Sequence, residues 1–173
     1  MTSILRLEQA LTARIAAALT PPGKAHPAVE VRAWPDRASE FRSAHALGTA
    51  LVLYRGTQFT HQATASQPVM FQEQFDIALL ARTLREPSAG VLGVYELVDT
   101  CRRALMGWTP ETAAGPVQML GVEFVEYAEG AWQFALRVSV PMIDVADRPR
   151  PPGPWAVADE DVAPALRAPN FQQ

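Results

Sequence analysis

The side chains able to do chemistry are few and scattered. His26, His45 and His61 are the natural metal ligands. None is paired with another at i, i+4 and none has a cysteine partner, so the spacing that holds zinc is missing. All three fall in loops or in an ambiguous segment, where a solvated histidine is expected. The single cysteine, Cys101, sits on the apolar side of a helical pattern. It reads as a small buried hydrophobe rather than a nucleophile. Gly90 and Gly93 form a GxxG spacing in the first turn of a helix, without the lysine or the tight turn of a phosphate loop. Their expected role is close approach of helix and sheet. No GxSxG elbow occurs, and no serine has a histidine and an aspartate arranged for it. Glu123, Glu126 and Glu129 cluster near a hairpin and read as a solvated strand face. Asp99 with Arg102 and Arg103 makes i, i+3 and i, i+4 ion pairs on a helix surface. Arg82 and Arg85 end a strand, as an anion site or as charges that discourage edge pairing. The expectation is a protein without catalytic, metal or cofactor-binding residues.

The elements that carry these residues are clearer. Val69, Phe71, Phe75, Ile77, Leu79 and Ala81 alternate, with Glu73 the one polar residue in the row and Gln72, Gln74, Asp76 and Ala78 on the other face. That is the period of a half-buried strand. Glu86-Pro87-Ser88 stops it, with Ser88 as an N-cap. Val91, Val94, Tyr95, Val98, Cys101 and Leu105 then recur at helical spacing, and Gly107 takes the C′ position. Strand and helix each bury one face and so need each other.

Upstream, Ile4, Leu7, Leu11, Ile15 and Leu19 predict a helix over residues 4–19 with Ser3 as N-cap. Thr20-Pro21-Pro22-Gly23 ends it. A short strand is expected at Val29 to Trp34, a short helix over 37–47, and a second strand from Thr49 to Arg55. The run Ala50-Leu51-Val52-Leu53-Tyr54 suggests burial on both faces of that strand. Residues 57–67 carry no formal charge. They are either the extension of two strands into a long hairpin or a long loop of functional kind. Within them Thr57, Gln58, Phe59, Thr60, His61 and Gln62 are the candidate protein-contact residues. Downstream, strands are predicted at Val117 to Tyr127 and Ala131 to Val140, joined through Ala128-Glu129-Gly130. Pro141 should limit the last strand or mark an edge. The order α-β-(short α)-β-β-α-β-β predicts an α+β fold of two layers. It has a mostly antiparallel sheet of about five strands and two main helices on one face.

The chain has 173 residues, 49% of them hydrophobic and 19% charged, and a net charge of −3. These values fit one folded domain and exclude a sequence-independent nucleic-acid binder, which needs a basic excess. One cysteine forms no internal disulfide and fits a reducing compartment. No apolar run approaches a membrane span, and Met1-Thr2-Ser3 lacks the features of a signal peptide. The expectation is a soluble intracellular protein. The domain is expected over 1–144. Six of the fifteen prolines fall in 145–173, which reads as an extended or disordered tail able to pack on a neighbour.

Taken together, several stretches resemble one family. They are the helix Ile4–Leu19, Val29-Glu30-Val31-Arg32-Ala33-Trp34-Pro35-Asp36, Ala50-Leu51-Val52-Leu53-Tyr54 with its Gly56, Phe75-Asp76-Ile77-Ala78-Leu79-Leu80-Ala81-Arg82, and Cys101-Arg102-Arg103-Ala104-Leu105-Met106-Gly107. Over roughly residues 4–143 the pattern is similar to the tail-terminator (tail-completion) proteins of Mu-like contractile-tailed phages and prophages. The resemblance implies a structural virion protein, assembled as a homo-oligomeric ring, usually a hexamer. Such a ring caps the tail-tube protein, stops its polymerisation and presents a surface to a head-completion or neck protein. DNA passes through the lumen without sequence-specific contact. The location implied is the virion tail, and the host cytoplasm during assembly. Two alternatives stand beside it: another phage neck or baseplate component, and a small ligand-binding α+β domain.

Overall fold

A computed structural model of the chain describes residues 2–20, 22–23, 29–35, 48–59, 68–85 and 92–144. The elements are α1 (Ser3–Ala18), β1 (Glu30–Ala33), β2 (Thr49–Phe59), β3 (Val69–Ala81), α2 (Val94–Leu105), β4 (Gln118–Ala128) and β5 (Ala131–Asp144). The five strands form one sheet in the order β1-β2-β3-β5-β4. Every pairing is antiparallel except β1 with β2, which is parallel. The fold is α+β, as the alternation of periods predicts. The expected short helix over 37–47, Ser88, Gly90, Val91 and the tail 145–173 lie outside the described residues.

β3 matches its predicted bounds, its apolar alternation interrupted only at Glu73. Phe75, Ile77 and Leu79 are fully buried under the helices. Glu73 occupies the same row and is buried too, held by partners described below. α1 starts one residue earlier than expected, with the Thr2 side chain accepting from Leu5 N. Its buried stripe is Leu7, Leu11 and Ile15. α2 begins at Val94, so its N-cap is Gly93 rather than Ser88. The first amides of α2 donate to the carbonyls of Thr83 and Leu84, which satisfies donors a side-chain cap would otherwise serve. A Cβ at Gly93 would lie 3.1 Å from Leu84 O and Arg85 C, so glycine is what allows this crossing. The buried stripe of α2 is Val94, Leu97, Cys101 and Leu105. Tyr95, placed in the stripe by spacing, is instead exposed and Val98 only partly buried. Gly107 has the expected positive φ, +72°.

Two elements extend beyond their predicted ends. β2 runs on to Phe59, with a bulge between Tyr54 and Gly56, and pairs Thr57, Gln58 and Phe59 with Glu73, Gln72 and Phe71. The first three proposed contact residues therefore belong to a ladder and not to a loop; Thr60, His61 and Gln62 lie outside the described residues. β5 continues through Pro141 to Asp144. The proline is tolerated because the ladder with β4 ends at Ser139. Its ring thus faces a side where no amide is required. Its carbonyl accepts from Ala114 N at 2.8 Å. The β4–β5 connection is a two-residue turn, Glu129 (φ 52°) and Gly130 (φ 76°), the type I′ geometry that suits a twisted hairpin.

Candidate assembly surface

Among the described residues the helices do not cover the whole sheet. Packed helices lie about 10 Å apart while strands are spaced about 4.8 Å. Two helices therefore roof roughly four strands. α1 packs on β1 and β2, and α2 on β3 and β5. β4, the fifth strand and one edge of the sheet, overhangs.

The residues of β4 on the helix-side face are those opposite Leu136, Phe134 and Trp132, namely Val122, Phe124 and Tyr127. All three are exposed, Phe124 at 54% and Tyr127 at 57%. Val125, at a bulge, and Leu120 are exposed as well. The aromatic rings are not loose. Phe124 stands 5.5 Å from Phe134 and 5.9 Å from Trp132, Tyr127 4.9 Å from Trp132, and Tyr95 of α2 5.9 Å from Phe134. Edge-to-face and tilted contacts of this kind fix a rigid apolar ledge. Where α2 meets β4, Tyr95, Val98, Asp99 and Arg102 wall a groove of about 320 Å³ floored by Val122 and Phe134. A continuous exposed apolar surface on an edge strand is a candidate for protein contact.

The opposite face carries a row of charges running across four strands. Arg55 contacts Asp76 at 3.0 Å and Arg137 lies 3.5 Å from Asp76. Arg137 also meets Glu123 through two contacts of 2.9 Å, a bidentate pair. Signs alternate along this row, so it holds register across the sheet without giving the face a strong field. Glu123 is thus a neighbour of Arg137, while Glu126 and Glu129 face solvent. Asp99 pairs with Arg102 and Arg103 at 2.6 and 3.0 Å. Arg82 and Arg85 are exposed after the end of β3.

Beyond the helices, β2 and β3 carry a polar knot. The Tyr54 and Thr57 hydroxyls both donate to Glu73 Oε2, at 2.9 and 2.7 Å, and approach each other at 2.7 Å. Burial, ahead of the neighbouring Glu73 carboxylate, pushes the Tyr54 hydroxyl above its ordinary pKa, against a smaller opposing effect of Thr57. The Cys101 thiol is pushed up to about 12 by burial alone, which makes it a poor nucleophile at neutral pH. No group of three or more His, Cys, Asp or Glu able to hold a metal occurs among the described residues. No helix among them is long and apolar enough to cross a membrane.

Residues 21–158 match the Gp37 protein family. The chain belongs to that family. It is a phage-associated family, and the match takes in every strand and the whole of α2. No curated protein sequence matches the chain. Of the residues singled out in this Gp37-family sequence, His26, His45 and His61 lie outside the described residues, and Cys101 is core. The β4 ledge was missed because its alternation looks like any half-buried strand. That its partner layer stops short is a property of the strand order, not of β4.

Proposed function

We propose that this protein is a structural ring subunit of a phage tail, one that caps the tail-tube protein, stops its growth and presents a face to a head-completion or neck protein. The observation that carries the reading is the rigid apolar ledge of a phage-family protein, on an edge strand that no helix among the described residues covers. A subunit that works by side-by-side assembly needs an edge of this kind, and an apolar surface of this extent is costly to leave in water. The resemblance of the sequence pattern to tail-terminator proteins supports the same role. In this reading the protein is not an enzyme, takes no cofactor or metal, and lets DNA through its lumen without reading sequence.

The test is a phage lacking the gene, with its tails viewed by electron microscopy. Overlong tails without heads are expected, and normal length with heads should return when the wild-type chain is supplied. Tails of normal length joined to heads in the knockout would reject the reading.

A further inference from the structure

The chain does not end with the sheet. β5 stops at Asp144, whereas the Gp37-family match runs on to residue 158. Between the two lies a stretch with four prolines, Pro149, Pro151, Pro152 and Pro154, and a single aromatic residue, Trp155. The groove between α2 and β4 is within reach of that tryptophan. Its floor residue Val122 stands opposite Leu136, eight residues back along β5 from Asp144. At about 3.3 Å per residue that is roughly 26 Å. Trp155 is eleven residues beyond Asp144. A proline-rich chain advances about 3.1 Å per residue, which carries Trp155 roughly 34 Å. The excess covers the reversal of the chain and the step from the sheet up to the helix layer.

We propose that Trp155 of the same chain fills the α2–β4 groove. The groove has the chemistry an indole needs. Val122 and Phe134 form an apolar floor, and Tyr95 and Val98 stand above it. Asp99 and Arg102, both partly exposed, add a carboxylate and a guanidinium to the walls. The floor takes the ring, the carboxylate accepts from the indole N–H, and the guanidinium lies against a ring face. Seated there, the side chain takes Val122 and Tyr95, 43% and 46% exposed, out of water. Phe124 and Tyr127, nearer the β4–β5 turn, are left for other contacts. The inference therefore goes beyond the ring reading and does not depend on it.

The test uses the full chain with a nitroxide attached at Ala158→Cys and with isotope-labelled valine methyl groups. Cys101 is buried and stays unlabelled, and intact mass verifies one nitroxide per chain. The methyl signals of Val98 and Val122 should lose most of their intensity. Val31, in β1 at the far edge of the sheet, should keep its own. Adding Trp155→Ala to the nitroxide chain should restore Val98 and Val122, with the signals of the buried Val52 unmoved as the check on folding. In a mixture of isotope-labelled chains without nitroxide and nitroxide chains without isotope, no signal should be lost. Full intensity at Val98 and Val122 beside the nitroxide overturns the proposal, as does a loss that persists in Trp155→Ala. An equal loss in the mixture overturns it too, because the occupant is then a second copy. The ring reading fails separately, on the tails of the knockout phage.

Discussion

Glu73 shows how a residue that breaks a pattern can still obey the fold. Its row is apolar on both sides, and its carboxylate is buried because two hydroxyls, Tyr54 and Thr57, converge on one oxygen. Hydrogen bonds to a charged acceptor are strong, and removing the acceptor strands both donors. Glu73→Ala should therefore lose about 2–4 kcal/mol of unfolding free energy in urea titration, well beyond the loss in Thr57→Val. The burial of Glu73 could not be read from sequence, since Thr57 reaches it only across a bulge that shifts the register by one. Tyr54 adds a pH dependence. Its folded pKa is raised, so the folded state holds its proton more tightly than the unfolded state. Its contribution is complete below about pH 10 and is lost as pH rises past that value. Stability measured between neutral pH and pH 11 should fall more steeply in wild type than in Tyr54→Phe. Cys101 was legible, because apolar residues at helical spacing surround it. Its thiol should resist disulfide-exchange reagents in the native protein and react on unfolding.

At the scale of elements, periodicity located both main helices and all five strands, and a short hairpin at Ala128-Glu129-Gly130 was expected from its glycine. What periodicity could not supply was adjacency. β5 lies between β3 and β4, a placement set by contacts far apart in sequence. Adjacency decides burial. Phe75 and Phe134 look equivalent as alternating strand residues, yet Phe75 sits in the central strand beneath the helices and Phe134 borders the overhang. The first is fully buried and the second partly exposed. Phe75→Ala should cost about 3–5 kcal/mol, the range for a buried phenylalanine. Phe134→Ala should cost clearly less, and paired urea titrations will order the two. Val98, expected in the buried stripe of its helix, is likewise only partly buried beside the overhang. The extension of β2 past Arg55 was one of two readings of an uncharged stretch. Pairing with β3 decides it for Thr57, Gln58 and Phe59.

For the whole molecule, the fold class was legible because two periods, one of two residues and one near 3.6, alternate along the chain in an order that permits one sheet and one helical layer. The exposed apolar face of β4 was not. It arises from a mismatch between layers, two helices over five strands, which no single segment records. If the protein works through protein contact alone, His26→Ala, His45→Ala and His61→Ala should each leave tail length and head attachment unchanged by electron microscopy. Loss of capping in a folded, ring-forming histidine variant would instead indicate chemistry at that site.

The parallel pairing of β1 with β2 has a directional consequence. β2, β1 and β5 run one way and β3 and β4 the other, so the first and last strands of the sheet point in opposite senses. Two copies set side by side in the same orientation then place β4 against an oppositely running β1. Had β1 been antiparallel to β2, that seam would join strands of like direction. As built, every step across a row of copies alternates except within the β1–β2 pair itself. The one like-directed pair lies inside the sheet, and copies aligned in this way would meet in the antiparallel relation, in which opposed backbone groups meet squarely.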